Sequence, residues 1–296
     1  MKRLSKSRYT AFCQCPKNLW LKVYKPEEAT IDAGMEARFA QGNVVGDLAM
    51  GLFGEFKEVT SHQEDGSLDL QKMIALTKQY MDEGVENICE ASFAIDGHYC
   101  AVDILRRNGD GWDIYEVKSS TYKGDEHDTA KELLVYSRDI AYQKWLLTQC
   151  GVKVNGCYLV RLNKFYTRSK DLDIQQLFHI KNMDEMVENE YVKVTANVSL
   201  ALKTLVGDEP NEPVAEHCQK PYCCAFFDYC TKGIPMPNVF NLYRMNFKKK
   251  CELYNQGKVS FEDLRYEKLS EIQQLQVNTH LDNTELVTPQ EGARRF

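Results

Sequence analysis

Three apolar runs of strand length, set off by two tight-turn signals, constrain this chain more than any other feature. Ile88–Ile95, Tyr99–Leu105 and Trp112–Val117 are separated by Asp96-Gly97 and by Asn108-Gly109-Asp110-Gly111. Asp-Gly and Asn-Gly pairs adopt the positive-φ turns that match strand twist, so three consecutive antiparallel strands are expected. The flanks carry helical period at about 32–53, 69–83, 129–149 and 184–205, with Ser5 as an N-cap and Pro16 opening a short helix. Val152–Leu162 reads as a further strand. This order predicts an α/β or α+β fold with a mixed central sheet. Residues 208–237 read as a loop dense in Pro, Cys and aromatics. From Asn238 a polar helical tail follows, anchored by Leu242, Met245, Leu253, Leu264 and Leu269. One large domain over 1–235 and a tail over 236–296 are expected.

Composition narrows the partners more than the fold. The 296 residues are 43% hydrophobic and 27% charged, too apolar for a disordered chain. No apolar run approaches the ~20 residues of a membrane span. The basic start, Met1–Arg8, leads into no hydrophobic stretch, so neither a secretory signal nor a membrane partner is expected, and the expected compartment is the cytoplasm. Asp and Glu outnumber Lys and Arg 43 to 37, a net charge of −6, so a polyanion must be met by local basic patches. Lys2–Tyr9, Arg161–Lys170 and Tyr243–Lys250 interleave basic and aromatic residues, a composition that tracks phosphates while stacking on unpaired bases.

The meander carries the sharpest chemistry. Asp103 lies in Cys100-Ala-Val-Asp-Ile-Leu105, and Glu116 and Lys118 lie in Ile114-Tyr-Glu-Val-Lys-Ser119. Strand side chains alternate, so Glu116 and Lys118 share one face while Val117 points into the core. The Asn-Gly-Asp-Gly turn returns the third strand beside the second, which lets Asp103 and Glu116 approach each other. Two carboxylates and an ammonium on one face suit phosphodiester hydrolysis: the carboxylates hold a hard divalent cation, and the lysine orients water or neutralises developing charge. The competing reading is an ordinary charged strand edge with cross-strand ion pairs.

Eleven cysteines, an odd number, argue against a disulfide framework. Cys89, Cys100, Cys150 and Cys157 read as small buried hydrophobes, as do Cys13 and Cys251. Cys218, Cys223, Cys224 and Cys230 crowd together without the tight Cys-x2-Cys knuckles of most zinc sites. A distant fourth thiolate suits an iron–sulfur cluster, which tolerates irregular spacing. Cys15, placed by Pro16 near a helix N-cap, fits that role, with Cys218, Cys224 and Cys230 as partners. Cys223 competes with Cys224, and structural zinc competes with a [4Fe-4S] cluster.

With these motifs in place the chain resembles the RecB-like branch of the PD-(D/E)xK nucleases, over about residues 1–235. The resemblance implies a restriction-endonuclease-like core, with Asp103 and Glu116 as Mg²⁺ or Mn²⁺ ligands and Lys118 assisting the nucleophile. It also assigns Gln143, in Asp139-Ile-Ala-Tyr-Gln143, to positioning substrate or water. The expected metal set is Asp103, Glu116, Val117 and Asp47. Many such nucleases carry a metal-binding histidine in a Gly-x-x-x-His pattern; here Gly42-Asn-Val-Val-Gly46 puts glycine there, and Asp47 is the candidate replacement. Glu36 and Glu90 read as structural. Gln14-Cys15-Pro16-Lys-Asn-Leu-Trp20, together with the late cysteines, is similar to the iron–sulfur RecB-like nucleases, including the adaptation nucleases of CRISPR systems, whose cluster ties the ends of the fold together. The whole also looks like the N-terminal module of an uncharacterised bacterial group in which a DEDD-type exonuclease-like domain follows a helical linker. The resemblance therefore implies a metal-dependent DNase, an exonuclease rather than an endonuclease, acting on single strands or ends, with protein partners in DNA repair or CRISPR adaptation. A catalytically depleted nucleic-acid-binding or assembly module and a zinc-stabilised interaction protein are the alternatives.

Overall fold

The computed structural model describes residues 3–284. They divide into two compact units, one comprising the chain up to Glu27 with Ile31–Pro210, the other Glu28–Thr30 with the chain from Asn211. The first unit runs β1 (Leu4–Ser5), α1 (Lys6–Gln14), α2 (Pro16–Tyr24), α3 (Ala33–Met50), β2 (Lys57–Glu58), α4 (Leu70–Asp82), β3 (Asn87–Ile95), β4 (His98–Asn108), β5 (Gly111–Tyr122), α5 (Ala130–Gln149), β6 (Val154–Asn163), α6 (Ile174–Leu177), β7 (Phe178–Asn182) and α7 (Asp184–Val206).

The meander forms as its turns dictate. Asp96 and Gly97 hold φ of 48° and 81°, the double positive of a type I′ hairpin, and Gly109 at 58° serves the second loop, where Asn108 faces Gly111. The sheet is mixed and seven-stranded, ordered β2-β3-β4-β5-β6-β7, with β1 added to β4. β3, β4 and β5 are antiparallel neighbours, and β5 and β6 are parallel. A parallel pair needs a long crossover, and α5 supplies it. β1, β2 and β7 carry no strand signal in the sequence, since the first two span two residues each and β7 spans five, too short for alternation to show.

Helices cover both faces. Ile114 packs with Leu146 of α5 and Val194 of α7 in the larger core, while its neighbour Tyr115 packs with Val45 and Ala49 of α3 in the smaller one. The mixed α/β architecture expected from the sequence is therefore present, and it is compatible with a restriction-endonuclease-like core. Among the described residues no helix is long and apolar enough to cross a membrane.

The second unit contains α8 (Phe227–Cys230), α9 (Phe247–Asn255), α10 (Phe261–Leu264) and α11 (Glu271–Leu281). Leu242, Leu253 and Leu264, scattered in sequence, converge with Val239, Phe261 and Val277 into a core of their own. Val214 and Cys218 pack on Cys251 of α9, and residues 211–235 group with the tail.

Candidate active site

The site lies where β4 and β5 part. Their ladder runs from Asn108↔Gly111 to Ile104↔Tyr115. One residue further, the Asp103 carboxylate takes the place of a backbone partner: Val117 N–H donates to Asp103 Oδ2 at 2.7 Å. β1 pairs with β4 at His98 and Tyr99 on the edge that β5 has left. The chain then enters α1, whose N-cap Ser5 accepts from the Arg8 amide. Lys6, the first helical residue, is thereby aimed into the split. Its Nζ donates to Glu116 Oε1 at 3.2 Å and Oε2 at 3.1 Å, and lies 3.5 Å from Asp103 Oδ1.

Register aligns the acids. Cys89 faces Ile104 and Ala91 faces Val102, which sets Glu90 opposite Asp103. Continuing the β4–β5 register beyond Ile104↔Tyr115 sets Asp103 opposite Glu116. Glu90 sits at φ 56°, left-handed for a non-glycine residue. The strand changes faces there, because Ile88 and Ala91, three positions apart, both pack in the larger core.

Behind this row α5 supplies support. Asp139 and Gln143 are four apart and therefore on one helix face. Lys118 Nζ bonds both Glu116 Oε1 and Asp139 Oδ2, the latter at 2.9 Å. Gln143 Nε2 donates to Glu116 Oε2 at 2.7 Å. Glu116 is only 1% exposed, yet both its oxygens are satisfied by donors, which is the condition for a buried carboxylate to persist. Gln143 Oε1 is buried without a partner among the described residues.

A cavity of about 400 Å³ opens over the row, walled by Gly42, Gly46 and Asp47 of α3 and floored by Glu90, Asp103 and Glu116. Burial and the nearby Asp103 push Glu90 up to about 7. Burial and Glu116 push Asp103 up to about 6. Burial works against ionised Glu116 too, but Lys118 and Lys6 hold its carboxyl well below the usual range. Burial likewise opposes the Lys6 and Lys118 ammonium groups, and the surrounding carboxylates outweigh it, keeping both pKa values above the ordinary lysine value.

Asp103, Glu116, Lys118 and Gln143 thus meet in space, and Val117 and Asp47 line the same cavity. Glu90, read from the sequence as structural, belongs with them. Lys6 and Asp139 were missed: Lys6 is 110 residues from Glu116, and no local pattern announces the pairing. The α3 glycine pattern is the one signal that pointed to this wall of the cavity. Glu36 is exposed in the first turn of α3.

Part of each basic stretch is put to other uses. Lys2 lies outside the described residues, while Tyr9 is buried and stacks on Tyr142. Arg161 is not available to phosphate, because its guanidinium makes bonds of 2.7 and 2.8 Å to the two Asp128 oxygens. Lys164, Arg168 and Lys170 remain exposed, with Phe165 at 64% exposure beside them. Lys250 donates to the Phe240 carbonyl.

Cys15 is buried at the N-cap of α2, where Pro16 placed it. In the second unit Cys218 is buried, Cys224 donates its amide to the Cys218 carbonyl at 2.8 Å, and Cys230 ends α8. Cys223 is exposed. Cys251 packs against Cys218, and burial pushes its thiol up to about 11. Among the described residues no three or more His, Cys, Asp or Glu side chains stand in a metal-coordinating arrangement. The central donor set is carboxylate oxygen, a class of ligand that hard divalent cations take. An ammonium already bridges Asp103 and Glu116, so a positive charge is accommodated there.

Fold and site together define a mixed α/β protein with a buried acid–lysine centre. No family model matches the chain, and no curated protein matches it. Among solved structures, a crystal structure of SSO0001 aligns with 72% of this chain and 80% of its own at 13% identity and a TM-score of 0.34. An alkaline exonuclease (LHK-Exo) from Laribacter hongkongensis aligns with 69% of this chain and 90% of its own at 12% identity and a TM-score of 0.27.

Proposed function

We propose that this chain is a divalent-metal-dependent nuclease that hydrolyses phosphodiester bonds of DNA. The observation that carries the reading is the convergence of Asp103, Glu116 and Lys118, from two strands, on one cavity, with Gln143 of α5 bonded to Glu116 from behind. Asp103, Glu116 and the Val117 segment would hold Mg²⁺ or Mn²⁺, with Asp47 and Glu90 close by. The bound cation would polarise a phosphate oxygen and acidify water. Lys118, pinned between Glu116 and Asp139, presents a fixed positive charge to the phosphate being attacked. Gln143 fixes the Glu116 carboxylate in the orientation the site needs. Exposed Lys164, Arg168 and Lys170 with Phe165, in the segment after β6, offer a local patch for a backbone and a base despite the net charge of −6.

The preference for single strands or ends, the exonuclease mode and the [4Fe-4S] cluster on Cys15, Cys218, Cys224 and Cys230 rest on the sequence motifs. The second reading, a binding module of the same fold, is favoured by Gly46 in place of histidine and by the ammonium spanning the acid pair. Cleavage of end-labelled single-stranded DNA with Mg²⁺ or Mn²⁺ separates the two. Wild type should cut, and Asp103→Ala and Lys118→Ala should each lose about 10²-fold or more, the scale of removing one transition-state stabiliser. Equal behaviour of wild type and both variants would overturn the nuclease reading.

A further inference from the structure

Two ammonium groups reach the acid row, and they are held differently. Lys118 is clamped between Glu116 and Asp139, both fixed by α5 or by burial. Among the described residues Lys6 forms ion pairs with the two carboxylates of the proposed metal pair and with no helix-borne acid. A cation shared by Asp103 and Glu116 must stand close to where the Lys6 Nζ stands.

We propose that Lys6 is an internal counter-cation, which holds the metal-free acid pair together and is displaced from it when a divalent ion binds. The proposal rests on the metal-dependent reading given above. Glu90, Asp103 and Glu116 are neighbours across three strands, and desolvated like charges repel unless a positive charge lies among them. An ammonium and a divalent ion a few ångströms apart repel, and Lys6, unlike Lys118, touches both of the carboxylates that the ion would share. Lys6 is built to leave. Its four-carbon stem swings without backbone movement, because the backbone beside it is anchored: Tyr142 Oη donates to the Leu4 carbonyl at 2.7 Å, Ser5 caps α1, and Tyr9 stacks on Tyr142. The movable cation thus comes from the N-terminal helix and the fixed one from β5.

The test uses the full chain and Mn²⁺ alone. Free Mn²⁺, followed by electron paramagnetic resonance, should show Lys6→Met binding about tenfold more tightly than wild type, the scale of removing one nearby unit charge at partial exposure. Lys6→Arg, which keeps the charge, should stay near wild type. Without any substitution, the reactivity of Lys6 toward an amine-modifying reagent, read by peptide mass spectrometry, should rise on adding Mn²⁺ while that of Lys118 does not. Equal Mn²⁺ affinity in wild type and Lys6→Met, or a Lys6 reactivity indifferent to Mn²⁺, overturns displacement and leaves the metal site standing. Absence of Mn²⁺ binding in both chains overturns the metal site and displacement together.

Discussion

Glu90 holds its left-handed backbone in the middle of an apolar strand, where an extended conformation would otherwise be expected. A non-glycine residue there carries strain of about 1–2 kcal/mol, and its carboxylate adds repulsion toward Asp103. Asparagine tolerates this conformation better than glutamate and carries no charge. Glu90→Asn should therefore raise stability by about 1 kcal/mol, read by urea unfolding, while weakening metal-dependent cleavage. A loss of stability would show that the strain is absent. Local chemistry decides this residue only in part: the sequence shows an acid in a strand, and the neighbours that make it costly lie on β4 and β5.

Elements are tied to one another by pairs that no periodicity announces. Arg161 of β6 and Asp128, at the entrance to α5, form a two-pronged ion pair with side chains 6% and 7% exposed, reinforced by Lys181 of β7 at 3.2 Å. Removing one partner leaves a buried charge, so Asp128→Ala should cost about 3–5 kcal/mol in a chemical melt. A cost below about 1 kcal/mol would place the pair among surface bridges. The Arg161 hydrogen bonds hold the Asp128 carboxyl below its usual range. Its contribution is then complete above the unfolded carboxyl pKa of about 3.9 and fades as pH falls through the lower folded value. Wild type should lose this stability on acidification below about pH 4, and Asp128→Asn should lose less over the same window. Arg161–Lys170 reads in sequence as a phosphate-binding run, and its first residue proves to be a strut. Charge pattern alone cannot separate the two uses, because the partner lies 33 residues away.

At the scale of the whole molecule, the cysteines divide between the units: Cys15 belongs to the first, and Cys218, Cys224 and Cys230 belong to the second. A [4Fe-4S] cluster would give anaerobically purified protein a brown colour and broad visible absorption, and Cys15→Ser and Cys224→Ser should each bleach it. Colourless protein containing zinc would replace the cluster with the alternative metal, and colourless metal-free protein would remove both. The tail, legible only as polar helix with scattered leucines, gathers them into a core because its short helices bring Leu242, Leu253 and Leu264 together with Phe261 and Val277.

Local periodicity determined a good deal by itself. Turn dipeptides placed the meander, helical period placed α3, α4, α5 and α7, and strand alternation put Glu116 and Lys118 on one face. Those signals act over a few residues, within the reach of backbone dihedrals and side-chain direction. The parting of β4 from β5, the insertion of β1 into that gap, and the convergence of Lys6, Glu90 and Asp139 on the acid pair were decided only by tertiary structure. Their partners lie far apart in the chain, and a charged residue is compatible with solvent or with a buried partner until packing removes the water.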